Sequence, residues 1–265
     1  MSKSTGIRKI GRTTAIVLQA FALCGLVATI ASATPSTQIW IPSTDIQPYK
    51  TVHINFDTYL RAANNDDGSR TAPVVDVGPT VGFLPYEKLQ GELGFDILSG
   101  GGDLDKYPLY FNGKLATPEE SLFKYSPAIA FGGYNFGTKS GDVRNGDLAT
   151  NQNIVYGLLA KTLPVVGRLS AGYFVGNKKV LVDENGSSDE KGVLLSWDRT
   201  MTEISDKLWV AVDYQGSNSA VGAFSFGASW AFAKNVSLLL GYDIYNKKAT
   251  GGQDTVTVQV DINFP

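Results

Sequence analysis

The sequence predicts an all-β chain: a transmembrane antiparallel up-and-down β-barrel of about 12 strands, with short periplasmic turns and longer extracellular loops. Three observations carry that expectation. The stretch from Thr255 to Phe264 alternates without a break, with Val256, Val258, Val260, Ile262 and Phe264 on one side and Thr257, Gln259, Asp261 and Asn263 on the other. A strand has a side-chain period of 2, so this pattern writes one apolar and one polar face. Residues 1–33 read as an export signal, and no cysteine follows them. Finally, the links between strand-like runs alternate long and short. A lone amphipathic strand also suits the edge of a soluble sandwich, but a sandwich has no reason for that rhythm.

The elements follow in order. Lys3, Arg8, Lys9 and Arg12 give a basic start, Ala15 to Ile30 an apolar stretch, and Ala31-Ser32-Ala33 a small-residue cleavage site. The stretch is short and rich in Ala and Gly for a membrane span, which needs about 20 apolar residues. Cys24 lies inside it, and Phe-Ala-Leu-Cys lacks the small residues expected before a lipidated cysteine. Removing 1–33 takes away four basic residues and no carboxylate, moving the formal charge from −2 to −6. Such a balance argues against nucleic acid as a partner, which requires a basic stripe.

Residues 34–49 form a separate N-terminal segment, and Ile39, Trp40 and Ile41 make it apolar. It reads as a plug tucked at the barrel mouth, with docking on a partner or anchoring at the membrane interface as alternatives. The barrel is expected over 50–265. Its strands read as 50–62, 72–84, 88–98, 107–116, 124–138, 152–163, 167–177, 191–201, 206–216, 219–232, 235–246 and 254–264. Most reach the length a bilayer requires of a tilted strand, about 9–11 residues. Beginning on the periplasmic side, the outer links are long and polar, with Gly216-Ser217-Asn218 the short exception. The opposite links, such as Pro164-Val165-Val166 and Ala233-Lys234-Asn235, are tight. Tyr134, Tyr173, Trp197, Trp230 and Tyr242 fall near strand ends and suit interfacial girdles.

Parity assigns the faces. Val52, Ile54, Phe56 and Leu60 point to lipid, opposite His53, Asn55, Asp57 and Tyr59; Leu208, Val210, Val212 and Tyr214 stand opposite Trp209, Ala211, Asp213 and Gln215. Carboxylates on the lipid face are costly near the midplane, so their parity marks the lumen. The expected lumen has an acidic wall of Asp57, Asp213, Asp243 and Asp261, opposed by a basic wall of Lys114, Lys161 and Arg168, with Glu92 and Asp96 complicating the division. Opposed walls of this kind orient polar solutes. For each of these residues, pairing with a neighbour to satisfy the interior is the plainer reading. Strands five and ten carry Gly, Ala and aromatics on both faces, and their parity is open.

Other chemistry finds little support. No Cys-x-x-Cys-His exists for haem, and Asn64–Gly68 and Asp183–Gly186 lack the ligand spacing of a calcium loop. No cofactor or metal is expected. The single histidine, His53, has lumen-facing parity near the periplasmic start of strand one, the wrong place for a lipid-attacking Ser-His-Asn site.

The segments Ser196-Trp197-Asp198-Arg199, Lys207-Leu208-Trp209-Val210-Ala211-Val212-Asp213-Tyr214, Phe232-Ala233-Lys234-Asn235-Val236-Ser237 and Gly241-Tyr242 resemble those of a family of bacterial outer-membrane barrels. That family is related to the transporters named for the meta pathway of phenol degradation. The resemblance covers roughly 125–264 and rests on strand-and-turn patterns. It implies passive uptake of small solutes, aromatic or apolar ones among them, and supplies no binding residues. The expectation is thus an outer-membrane channel or transporter of a Gram-negative bacterium. A structural barrel that sheathes or docks a periplasmic partner, such as an electron-transfer protein, is the alternative, and an outer-membrane enzyme the third. Its expected partners are outer-membrane lipids and lipopolysaccharide, the barrel-assembly machinery through the C-terminal strand, and a small-molecule solute.

Overall fold

The computed structural model describes residues 36–265; the export signal expected over 1–33, with Cys24, lies outside the described residues. Twelve antiparallel strands close into one barrel, each hydrogen-bonded to its sequence neighbours. They are β1 (Val52–Arg61), β2 (Val74–Gly82), β3 (Gln90–Ser99), β4 (Leu109–Thr117), β5 (Ala128–Gly137), β6 (Asn151–Leu163), β7 (Gly167–Val175), β8 (Lys191–Thr200), β9 (Leu208–Gln215), β10 (Ala223–Ala233), β11 (Val236–Tyr245) and β12 (Thr255–Phe264). The seam runs from Val52↔Phe264 to Arg61↔Thr255 without interruption. Closure leaves no unpaired strand edge, which is what permits a sheet to cross hydrocarbon.

Two strands start later than their apolar patterns suggest, for local reasons. β5 begins at Ala128 because Pro127 has no N–H for the ladder, and a compact turn precedes it in which the Glu120 N–H donates to Ser126 O. β10 begins at Ala223 because the Gly222 N–H donates to Ser219 O and Ser217 Oγ lies 2.7 Å from Ser219 Oγ, closing a polar turn. The longest links, 62–73, 138–150 and 176–190, gather at one end. The tightest, 164–166 and 234–235, lie at the other, together with the ten-residue link 118–127.

The exterior is an apolar belt. Phe56, Leu93, Phe131, Leu159, Leu195 and Leu240 are all exposed at mid-strand. The charged residues that share this outward parity, Lys161, Lys191 and Arg199, stand at strand ends. An exposed apolar surface of this extent is untenable in water and normal against lipid. Among the described residues no helix is long and apolar enough to cross a membrane; the strands do the crossing.

The inside is packed rather than open. Ile41 and Ile46, from the segment before β1, share an apolar cluster with Ala116, Ala130, Ile154, Tyr156, Leu158, Phe174 and Leu194. Ile39 forms a second with Trp209, Ala211 and Leu239. The lumen is therefore not uniformly polar: it is apolar where β5, β6 and the Phe174 and Leu194 positions of β7 and β8 face inward, and the segment before β1 fills that part. The parity left open on β5 and β10 resolves accordingly. Ala128 and Ala130 face inward on β5, and Ala223, Ser225, Gly227 and Ser229 do so on β10. Asn135 is a bulge with φ of 55°, a left-handed conformation that Asn tolerates, and the β5–β6 register shifts beside it.

Candidate lumen site

The site is built around a hairpin. Within Ser36–Ser43 the Gln38 N–H donates to Ile41 O (2.7 Å) and the Ser43 N–H to Ser36 O (3.1 Å), with Thr37 bridged to Pro42. This tight loop stands inside the barrel with Ile39 and Trp40 at its tip. At the short-turn end it connects to β1 through Lys50, whose N–H donates to Gly82 O at 2.8 Å.

Buried backbone must find partners, and the inward side chains of the wall supply them. Asp213 Oδ2 accepts from the N–H of both Ile39 (2.8 Å) and Trp40 (3.0 Å). Gln259 Nε2 donates to Ile39 O at 2.9 Å, and the Trp40 indole donates to Val221 O at 2.9 Å. Gln38 Nε2 donates to Asp198 Oδ1 at 3.0 Å, while the Gln47 N–H donates to Glu92 Oε2 at 2.8 Å. Lys114 Nζ donates to Ser36 O and Ser43 O, both at 3.1 Å. Arg168 clamps the segment from the side, with Nη1 2.7 Å from each oxygen of Asp45 and Nε 2.9 Å from Asp198 Oδ1. Ile39 also needs room: it lies against Gly227 and Gly241, where a Cβ would come 3.3 Å and 3.1 Å from its side chain.

These contacts redistribute the residues expected to form two charged walls. Lys114 and Arg168 face inward, but each has its own acid: Lys114 lies 3.4 Å from Glu92, and Arg168 pairs with Asp198 and Asp45. Lys161 does not belong to the lumen. It shares the outward parity of Val155 and Leu159 and pairs with Glu119 (3.0 Å) and Glu120 (3.6 Å) on the turn after β4. β6 is apolar on both faces because its inner face packs on Ile41 and Ile46, so apolarity alone does not reveal its parity. Tyr134 is likewise no girdle residue: it points inward and donates to Gln215 Oε1 at 3.1 Å.

Of the four expected acids, Asp213 is taken by the hairpin. Asp243 accepts from Thr255 Oγ1 (2.7 Å), and Asp261 from Ser237 Oγ (3.2 Å). Only Asp57 borders open space. That space is a cavity of about 250 Å³ between the hairpin and the β1–β6 wall. Its carboxylates are Asp57, Asp76 and Asp96 on three adjacent strands, with Glu92 beyond them; its aromatics are Trp40, Tyr59, Tyr134, Tyr156 and Tyr245. Asp57 sits directly across from Asp76 in the ladder. Asn55 donates to Asp57 Oδ2 at 3.2 Å and Asn112 to Asp96 Oδ2 at 2.7 Å. Asp76 was absent from the sequence-based wall. Its signal is the alternation Val75-Asp76-Val77, which puts a carboxylate between two lipid-facing valines.

His53 faces the lumen near the short-turn end. Nδ1 lies 3.0 Å from Asn263 Oδ1 and Nε2 3.5 Å from Asp261 Oδ1. Both ring nitrogens therefore point at an amide and a carboxylate, and neither at a serine hydroxyl. Among the described residues no group of His, Cys, Asp and Glu is arranged to hold a metal ion.

The fold and its filled lumen define a transmembrane β-barrel that carries its own internal segment. No protein-family model matches the sequence, and no curated protein matches it. Among solved structures the barrel is similar to an outer-membrane channel from Pseudomonas putida F1, at 13% identity over 83% of this chain and 97% of that one, with a TM-score of 0.48. It is also similar to the outer-membrane phospholipase A of Escherichia coli (10% identity, 83% and 94% coverage, TM-score 0.47) and to the NanC porin (8% identity, 80% and 99%, TM-score 0.45). Function is therefore read from this chain's own lumen.

Proposed function

We propose that this chain is an outer-membrane channel or transporter for passive uptake of small solutes in a Gram-negative bacterium. The supporting observation is the cavity itself: about 250 Å³, lined by both carboxylates and aromatic rings, inside a barrel whose remaining interior is packed. A closed barrel of this size offers room for one small molecule among inward side chains, between the filled eight-stranded and the open sixteen-stranded cases. The hairpin Ser36–Ser43 acts as the internal plug of this path. A barrel that sheathes a periplasmic protein needs a lumen free to receive it, and here the chain's own segment occupies that space. In the same proposal residues 1–33 are a cleaved export signal, and β12 is the strand read by the barrel-assembly machinery. The likeness to the phenol-degradation type of barrel supports small aromatic or apolar solutes as cargo.

The test is solute flux in proteoliposomes, comparing the mature chain with one lacking 36–47. The expected result is slow flux of small solutes through the intact protein and a several-fold rise on deletion. Absence of flux from both folded proteins overturns the proposal.

A further inference from the structure

We propose that the lumen cavity is a binding station for small organic ammonium ions, a reading that rests on the barrel being a conduit and names the solute class it takes. The first ground is a group of carboxylates without a cationic partner. Asp57, Asp76 and Asp96 project from adjacent strands into one cavity, and among the described residues none of them forms an ion pair. The nearby cations are committed elsewhere: Lys114 to Glu92 and two hairpin carbonyls, Arg168 to Asp45 and Asp198, and Arg61 to the carbonyls of Gly251 and Gln253. Three carboxylates gathered in a partly enclosed space favour an arriving positive charge.

The second ground is unused hydrogen-bonding capacity inside the same cavity. Asp57 Oδ1 and Asp76 Oδ1 are shielded from solvent and have no hydrogen-bond partner. Gln215, only 1% exposed, lines the cavity with its Nε2 unpaired, its other amide atom being held by Tyr134. Buried polar atoms without partners are costly, and a ligand that supplies them recovers that cost. Asp57 and Asp76 both line the cavity, so a small side-chain rotation turns these acceptor oxygens toward the N–H groups of an ammonium head. The amide donor fits a polar acceptor at the other end of the molecule.

The third ground is the aromatic lining. Trp40 makes edge contacts with Tyr59 (ring centroids 5.7 Å apart) and Tyr245 (5.5 Å), and Tyr134 lies 6.0 Å from Tyr156. Tyr245 already holds one cation, with the Arg61 guanidinium carbon 5.2 Å from its ring centre. Aromatic rings beside carboxylates are the pairing that recognises organic cations, because the ring face attracts the charge and the ring body receives the carbon skeleton. An inorganic ion leaves the rings unused, and a neutral aromatic leaves the carboxylates unbalanced. A cavity of about 250 Å³ has room for a molecule of phenethylammonium size.

The experiment titrates the refolded full mature chain in lipid nanodiscs with three probes of similar shape: phenethylammonium, 2-phenylethanol and 3-phenylpropionate. Trp40 fluorescence is the readout, with Trp40→Phe identifying its share of the signal. Saturable binding of phenethylammonium is expected, about tenfold or more tighter than 2-phenylethanol, with 3-phenylpropionate weakest. Asp76→Asn and Asp96→Asn should each weaken the ammonium and leave the alcohol unchanged, while Asp76→Glu retains the preference; circular dichroism and heat-modifiable gel mobility confirm a folded barrel. Equal affinity for ammonium and alcohol, or no saturable binding to the folded protein, overturns the proposal. Flux of all three probes at equal rates without binding overturns the station and leaves the conduit standing. Saturable ammonium binding without flux upholds the station and removes the conduit.

Discussion

Asp213 is the residue on which the hairpin turns. One carboxylate oxygen takes two consecutive backbone N–H groups, those of Ile39 and Trp40, in a site only 1% exposed. Charge-assisted acceptance of this kind is stronger than a neutral hydrogen bond, and its removal strands two buried donors. Asp213→Ala is therefore expected to cost about 1–3 kcal/mol, measured by urea unfolding from liposomes, and to increase single-channel conductance. In a chain lacking 36–47 the same substitution should cost little, since its partners are gone. An equal cost in both backgrounds would show that Asp213 serves the barrel wall and not the hairpin. In sequence, Asp213 is recognisable as an inward carboxylate. What it binds is not, because Ile39 lies 174 positions away.

The N-terminal segment is an element without regular secondary structure, and its placement depends on small residues in the wall. Gly241 on β11 faces Ile39, and a Cβ there would lie 2.9 Å from Thr257 Cγ2 and 3.1 Å from Ile39 Cγ2. Gly241→Val adds two further methyl groups to that space. The strand keeps its ladder and its outward Leu240 and Tyr242, so the strain falls on the Thr257 side chain and on the hairpin tip. Expected are a folded barrel, a changed Trp40 emission and a raised conductance. Unchanged conductance with an intact barrel counts against close packing of the tip. Small residues on β5 and β10 serve the same segment: Ile41 and Ile46 cluster with Ala130, and Ile39 lies beside Gly227.

At the scale of the whole molecule, stability depends on the solvent being lipid outside and protein inside. Leu240 lies midway along β11 and is 56% exposed on the outer belt. Leu240→Arg should destabilise the protein in bilayers by about 2–4 kcal/mol, the cost of a cation near the midplane, measured by reversible unfolding from vesicles. A water-exposed face would tolerate the same change within about 0.5 kcal/mol, and that result would remove the membrane assignment. The charge of the lumen also belongs to this scale. The basic wall expected from parity became local pairs, because Lys114 and Arg168 each found an acid within reach. Of the inward carboxylates that have no base beside them, Asp213 and Asp243 are held by neutral donors, and the Asp57–Asp76–Asp96 group faces the cavity.

The sequence by itself determined the barrel. Alternation of period 2, turn residues and the long–short link rhythm are local properties, and they locate the strands and the lipid-facing side of most of them. Thr255–Phe264 in particular specifies its own two faces without reference to the rest of the chain. Only the tertiary structure decided what fills the lumen. An inward side chain has no fixed partner until closure brings β1 against β12 and the hairpin into their midst. The apolar inner face of β6 and the glycines beside Ile39 take their meaning from that segment. So does the division between carboxylates that hold the chain and carboxylates that face open space, because each of these depends on contacts between residues far apart in sequence.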